Sequence, residues 1–279
     1  MNTTTEDPSA LQIGLPARAE NVAVVRHALA GMAERIGMDE AGVADLKTVV
    51  TEACMNVVVH AYSDGEPGLL EVEAAADSTA LTVVVRDFGA GIRPRADIGR
   101  PSLRIGLTLI AALASSFEIR GGADRGTEIR MDLPLQARDE AVDGELAAEL
   151  SVIPIETTEM RVGRAELLGP VLSRALSALA ARREITIDRL SDTMLLSDAI
   201  SAAAPAVFGD GRVCLSIADR DEGVELRVGP MRSGGGEKLR ASLDLPEVGG
   251  SLEALADELR VERDEEGEFL VVGVASLAA

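Results

Sequence analysis

The spacing of apolar residues changes several times along the chain, and each change predicts a new element. LQIGLP, residues 11–16, is short and apolar enough for a strand. Residues 19–37, AENVAVVRHALAGMAERIG, place apolar side chains at helical spacing and end on a glycine, which predicts an amphipathic helix. A second helix is predicted over 40–61, and SDGEPG breaks the chain after it. LLEVEAAAD and ALTVVVRD read as paired strands around a short turn. The stretch FGAGIRPRADIGRPSLR has no period and reads as a loop, IGLTLIAALASS as a helix, and FEIRGG and GTEIRMDLPL as strands. The order β-α-α-β-β-loop-α-β-β groups its strands instead of alternating them with helices. That predicts an α+β sandwich and not a doubly wound sheet.

After a charged, Ala-rich stretch, QARDEAVDGELAAEL, the order recurs. ELLGPVLSRALSALAARR parallels the first helix and DRLSDTMLLSDAISAAAPAVF the second, with FGDG standing where YSDG stood. VCLSIAD and VELRVG parallel the strand pair, MRSGGGEKLRASLDLPEVGG takes the place of the loop, and SLEALADEL, RVERD and EFLVVGVAS supply a closing helix and two strands. The expected organisation is a first domain over 1–136, a linker over 137–149 and a second domain of the same architecture over 150–279. A repeat of this length is too long for a solenoid.

Composition narrows the function. The chain has 279 residues, and 47% are hydrophobic but only 2% aromatic, so Val, Leu, Ile and Ala must fill its cores. A formal net charge of −20 argues against nucleic acid and favours basic partners or simple solubility. Cys54 and Cys214 lie in apolar segments without metal-ligand spacing. No run reaches the roughly 18–20 apolar residues that span a bilayer. MNTTTEDPSA has neither the basic nor the apolar region of a signal peptide, so a soluble cytoplasmic protein is expected.

The chemistry concentrates in the first half. In TEACMNVVVHAY, Glu52 and Asn56 lie one helical turn apart and share a side. An amide oxygen suits a hard cation such as Mg²⁺, and a carboxylate can orient or deprotonate an attacking oxygen. In RDFGAGI, Asp87 ends an apolar strand, where its carboxylate can accept a hydrogen bond from an exocyclic amine. Gly89 and Gly91 follow it and permit close backbone approach to a ring or phosphate. Gly106 is expected at a helix N-terminus, a natural anion site, and Thr127 opens the last strand where it can support Asp87. His60, near a helix C-terminus, reads as structural. RPRADIGR is a basic cluster that is either a solvated loop or a clamp for phosphate.

Together, EACMNVVVHAY, DFGAGI, GLTLI and GTEIRM resemble the N, G1, G2 and C-terminal motifs of the GHKL, or Bergerat-fold, ATPases. Within that superfamily the chain is most similar to the anti-sigma-factor serine kinases, over roughly residues 10–135. The resemblance implies a mixed sheet with helices on one face and ATP held between helices and a lid. It implies Asn56 as the Mg²⁺ ligand, Glu52 as general base, Asp87 as adenine contact with Thr127 in support, and Gly89, Gly91 and Gly106 around the nucleotide. The family usually has a glycine two residues before Gly106, where this chain has Arg104, whose guanidinium either crowds the lid or binds a phosphate. Partners implied are a sigma factor, a STAS-domain antagonist phosphorylated on serine, or both. The alternative is a switch that binds nucleotide without transferring phosphate.

The second half lacks these residues. Asp198 parallels Glu52, Ala202 parallels Asn56, Gly229 or Pro230 parallels Asp87, and Glu268 parallels Thr127. Alanine holds no Mg²⁺, and SGGGEK is no P-loop but the remnant of a lid. The expectation is a degenerate copy without a nucleotide site, kept for packing, for partner binding or for dimer-like pairing, as a pseudo-dimer within the chain or in a homodimer.

Overall fold

The computed structural model describes residues 11–62, 67–90, 101–121, 125–135, 157–182, 187–208, 213–220, 223–245 and 250–275. The chain divides into two compact units, Met1–Ile155 and Glu156–Ala279. The linker expected over 137–149 lies outside the described residues.

The first unit opens with β1 (Leu11–Pro16) and two long helices, α1 (Ala19–Arg35) and α2 (Glu40–His60). Gly37 ends α1 with φ 90, where the Met38 N–H bonds Ala33 O and the Gly37 N–H bonds Glu34 O. This is a Schellman cap, which needs a left-handed residue and therefore favours glycine. Two residues on, Asp39 caps α2 by accepting the Gly42 N–H at 2.8 Å. The strands β2 (Leu69–Ala76) and β3 (Ala80–Asp87) form a hairpin. Asp77 locks its turn by accepting the N–H groups of Thr79 and Ala80. Then come α3 (Pro101–Leu113), β4 (Ser116–Gly121) and β5 (Thr127–Pro134).

The strands of this unit lie in the order β1-β2-β3-β5-β4, and each of these pairings is antiparallel. The mixed sheet implied by the resemblance is thus antiparallel here. Tight turns force antiparallel pairing of β2 with β3, and α3 with β4 returns the chain so that β5 opposes β3. Alternation along the strands sends Leu11, Ile13, Leu15, Leu70, Val72, Leu81, Val83, Val85, Met131 and Leu133 to one face. These side chains are buried, as are Val25, Leu29, Met32, Leu46 and Val50 of the helices. The opposite face carries Gln12, Glu71, Glu73, Arg86 and Glu128. Arg86 ties them together, 2.8 Å from Glu73 and 2.7 Å from Glu128. Burial pulls its guanidinium down, but Glu128 and Glu73 overcome that and hold it charged.

Helix α3 begins at Pro101, four residues earlier than the apolar period predicts. Proline is well suited to the first helical position, because it has no N–H to leave unsatisfied. Gly106 therefore sits in the second turn of α3, not at its N-terminus, and the anion-site reading of that glycine falls.

The second unit runs β6 (Thr157–Val162), α4 (Ala165–Arg182), α5 (Ile187–Phe208), β7 (Val213–Arg220) and β8 (Gly223–Met231). It continues with α6 (Gly235–Ala241), the small pair β9 (Asp244–Leu245) and β10 (Gly250–Ser251), a 3-10 turn over Leu252–Leu255, β11 (Glu258–Arg263) and β12 (Glu268–Ala275). Its main strands follow the order β6-β7-β8-β12-β11, the same path as in the first unit. Two expectations change. SGGGEK is not a lid remnant, because it turns through Gly234 at φ 81 into α6, anchored by the fully buried Leu239. SLEALADEL forms only the 3-10 turn, since β11 takes the chain from Glu258 to pair with β12.

Candidate functional site

Asp87 is the last residue of β3 and lies in register with Leu70 on one side and Thr127 on the other. It is 5% exposed on the helix-facing side of the sheet, beside Leu70 on one strand and Thr127 on the other. Its Oδ1 accepts the Gly89 N–H at 2.9 Å, and Thr127 donates to it through both hydroxyl and backbone. Burial pushes the carboxyl above its ordinary range, and the Gly89 and Thr127 donors only partly offset that. A further donor from a ligand would offset more of that burial cost.

The glycines around Asp87 answer first to the chain itself. A Cβ on Gly89 would stand 2.1 Å from Ala61 O, because the end of α2 presses on this turn. Ala61 O also accepts the Ala90 N–H at 2.9 Å. Gly126 has φ 70, and a Cβ there would meet Asp87 O at 2.0 Å. Its N–H reaches Gly89 O at 3.1 Å, joining the start of β5 to the turn after β3. Gly91 lies outside the described residues, as do RPRADIGR and the side chain of Arg104.

The second cluster lies between α2 and α3, which pack together. Glu52 and Asn56 share a side of α2, and Gly106 of α3 closes on them. A Cβ at Gly106 would stand 2.6 Å from Glu52 Oε2 and 3.9 Å from Asn56 Nδ2. A side chain at this position would have to displace the Glu52 carboxylate, which glycine avoids. Asn56 Nδ2 is buried and has no hydrogen-bond partner among the described residues. Leaving such a donor unmet costs about 1–3 kcal/mol, so a polar ligand is the natural complement of this crevice. An amide oxygen beside a carboxylate is also a donor set that a hard divalent cation accepts.

The fold thus brings Glu52, Asn56 and Gly106 together in one cluster, and Asp87, Gly89 and Thr127 in another, linked by the C-terminal half of α2. Two participants were not singled out from the sequence. Gly126 was signalled only by its place before Thr127. Tyr62 was passed over in HAY for the neighbouring histidine, yet its hydroxyl donates to Leu69 O at 2.5 Å and accepts the Phe88 N–H at 3.0 Å. His60 stands in the last turn of α2.

In the second unit Glu268 opens β12 as Thr127 opens β5, and it pairs with Met231 at the end of β8. Met231, not Gly229 or Pro230, is therefore the ladder counterpart of Asp87. Glu268 is 3% exposed, and its oxygens accept the Gly234 N–H at 2.9 Å and the Gly236 N–H at 3.0 Å. Arg263 donates to it as well. The Gly234 N–H, then Arg263 and the Gly236 N–H, hold its carboxyl down at about 2.

The histidine kinase-like ATPase domain family matches residues 15–133. A serine-protein kinase RsbW of Halalkalibacterium halodurans is 32% identical over 160 residues, covering 51% of this chain and 94% of the relative. One of Bacillus cereus is 29% identical over 147 residues, covering 48% of this chain and 90% of the relative. One of Bacillus velezensis is 39% identical over 79 residues, 28% of this chain, and there the match spans only 49% of the relative's length. Among solved structures, the histidine kinase domain of the Erythrobacter litoralis EL346 blue-light activated histidine kinase aligns with a TM-score of 0.30 and 27% identity. That alignment covers 34% of this chain and 45% of that one.

Proposed function

The chain belongs to the histidine kinase-like ATPase family, and from that premise we propose that it is an ATP-binding regulator of the anti-sigma-factor serine kinase type. The observation that carries this is the close approach of α3 to α2, where Gly106 packs on Glu52 and beside an Asn56 whose buried amide nitrogen has no partner among the described residues. That cluster fits Mg²⁺-ATP: Asn56 would hold the ion, which when bound neutralises phosphate charge. Asp87, supported by Thr127, takes the adenine amine. Gly89, Gly91 and Gly106 would be the close-approach positions around the nucleotide that the family resemblance implies, and Arg104 lies two residues before Gly106 in the sequence.

Glu52 would then accept the proton of a partner's serine hydroxyl. The serine oxygen bonds the γ-phosphorus as the bond to the bridging oxygen breaks, leaving ADP and phosphoserine. The partner is a STAS-domain antagonist for this step and a sigma factor for the binding role. In the second unit we read a copy that has lost its site. Ala202 replaces the ion ligand, and the carboxylate of Glu268 already holds the nearby backbone donors.

Arg104, where the family usually has glycine, favours one other reading: a switch that binds ATP without transferring phosphate. Incubating the full chain with ATP, Mg²⁺ and STAS proteins, followed by mass spectrometry for phosphoserine, separates the two. For the kinase, Glu52→Gln keeps ATP binding and slows transfer by about 10²–10⁴-fold. Asn56→Ala loses Mg²⁺-dependent binding as well. ATP binding with no phosphoserine on any partner, and regulation untouched by Glu52→Gln, is the outcome for the switch.

A further inference from the structure

Tyr62 joins three elements and touches none of the atoms assigned so far to a ligand. Its hydroxyl donates to Leu69 O at the start of β2 and accepts the Phe88 N–H just beyond β3. Its ring fills the space over two glycines. A Cβ on Gly68 would lie 2.0 Å from Cε1, and one on Gly89 would lie 3.2 Å from Cδ1. The sequence has a single tyrosine, and glycine at 68 leaves the space its ring fills, while Gly89, held first by Ala61 O, lies against its edge.

We propose that Tyr62 is the positioning residue of the adenine pocket, fixing through Phe88 the turn that aims the Asp87 carboxylate. The proposal rests on the nucleotide reading of the site.

The β3–β5 ladder ends at the Asp87–Thr127 pair, so the Phe88 N–H lies beyond it. The Phe88 side chain is 54% exposed and gives this residue little anchorage. Yet Phe88 is the one residue between Asp87 and the Gly89 N–H that holds Oδ1. Where Phe88 sits therefore decides which carboxylate oxygen is engaged within the turn and which is left for a base. The Tyr62 oxygen is the partner that holds Phe88. Burial pushes the phenol up, the Phe88 N–H draws it back and Asp87 pushes it up again, so it stays a neutral donor to Leu69 O.

Adenine presents an amine where guanine presents a carbonyl oxygen, which a carboxylate repels. An Asp87 held in one orientation separates the two bases better than a loose one. Removing the hydroxyl should cost affinity for ATP specifically, whereas a merely structural tyrosine would affect all nucleotides alike.

The test titrates the full chain with ATP and with GTP, both with Mg²⁺, by calorimetry and competition, for wild type, Tyr62→Phe and Gly68→Ala. Gly68→Ala drives a methyl into the ring and should reproduce the loss if Tyr62→Phe folds poorly. The expected result is a loss of about tenfold for ATP in each variant, with GTP unchanged and the ATP preference correspondingly reduced. Wild-type affinity for ATP in both variants overturns the proposal. So does an equal loss for both nucleotides that follows a fall in thermal midpoint. A wild type that binds neither nucleotide would instead remove the nucleotide reading on which the proposal stands.

Discussion

Asp87 is a residue whose burial works against folding. Its carboxyl is raised by burial, so above the ordinary range the unfolded chain gives up its proton more readily than the folded one. Stability is therefore lost as pH rises from the unfolded value through the folded one, and at neutral pH the ionised Asp87 is a cost. Asn has the same shape and still offers Gly89 an oxygen. Asp87→Asn should leave the thermal midpoint at pH 7 at or above the wild type's, with the gap closing towards pH 3. It should also weaken ATP by about 10–150-fold, the equivalent of losing a charged hydrogen bond of about 1.5–3 kcal/mol. Melting curves across pH with parallel titrations check both; a variant that melts well below wild type at pH 7 would mean Asp87 is mainly structural. The residues legible in the sequence, Glu52, Asn56, Asp87 and Thr127, show their chemistry through side-chain type and spacing. Tyr62 was not legible, because its partners are the backbone of Leu69 and Phe88, which only the folded chain brings to it.

Elements with a clean period were readable almost to the residue. β1 coincides with LQIGLP, and α1 and α2 fall inside their expected spans. Segments punctuated by Pro and Gly misled, since the same residues that break a helix can also start one. Pro101 opens α3, and Gly234 turns the chain into α6. In α6 the glycines are packing positions, because a Cβ on Gly236 would meet Val261 Cγ1 at 2.4 Å. Glu268 then ties α6 and β11 to β12, with a carboxyl held at about 2 against an ordinary 4.5. A depressed carboxyl contributes stability above the unfolded value and loses it as pH falls through the folded one. Glu268→Gln should lower the midpoint of the second unit at pH 7, and the difference from wild type should fade between pH 4.5 and about 2. A difference that persists unchanged to pH 2 would show that shape, not charge, is at work. In the first unit, Arg86→Met leaves the buried Glu71 and Glu73 without their cation. Breaking such a network from one side costs about 3–5 kcal/mol, readable as a fall in denaturant midpoint.

At the scale of the whole molecule, composition gave the sign of the field, and topology gave two units with one strand order. The net charge of −20 is large enough to act on encounter with a basic partner. If it serves recognition, it acts before contact, drawing a basic surface into encounter over the range that salt permits. That range is about 8–10 Å at physiological ionic strength and about 3 Å at 1 M. Association with a basic partner should therefore slow by about tenfold or more between low and high salt, while dissociation, governed by short-range contacts, changes much less. Stopped-flow mixing with a confirmed partner at several salt concentrations measures both rates. The nucleotide supplies an internal control, because ATP is itself an anion and the same field repels it. Raising the salt should leave ATP association unchanged or faster while partner association slows. Opposite responses from one protein would assign the charge to partner recognition. If partner association is indifferent to salt, the acidic surface serves solubility alone.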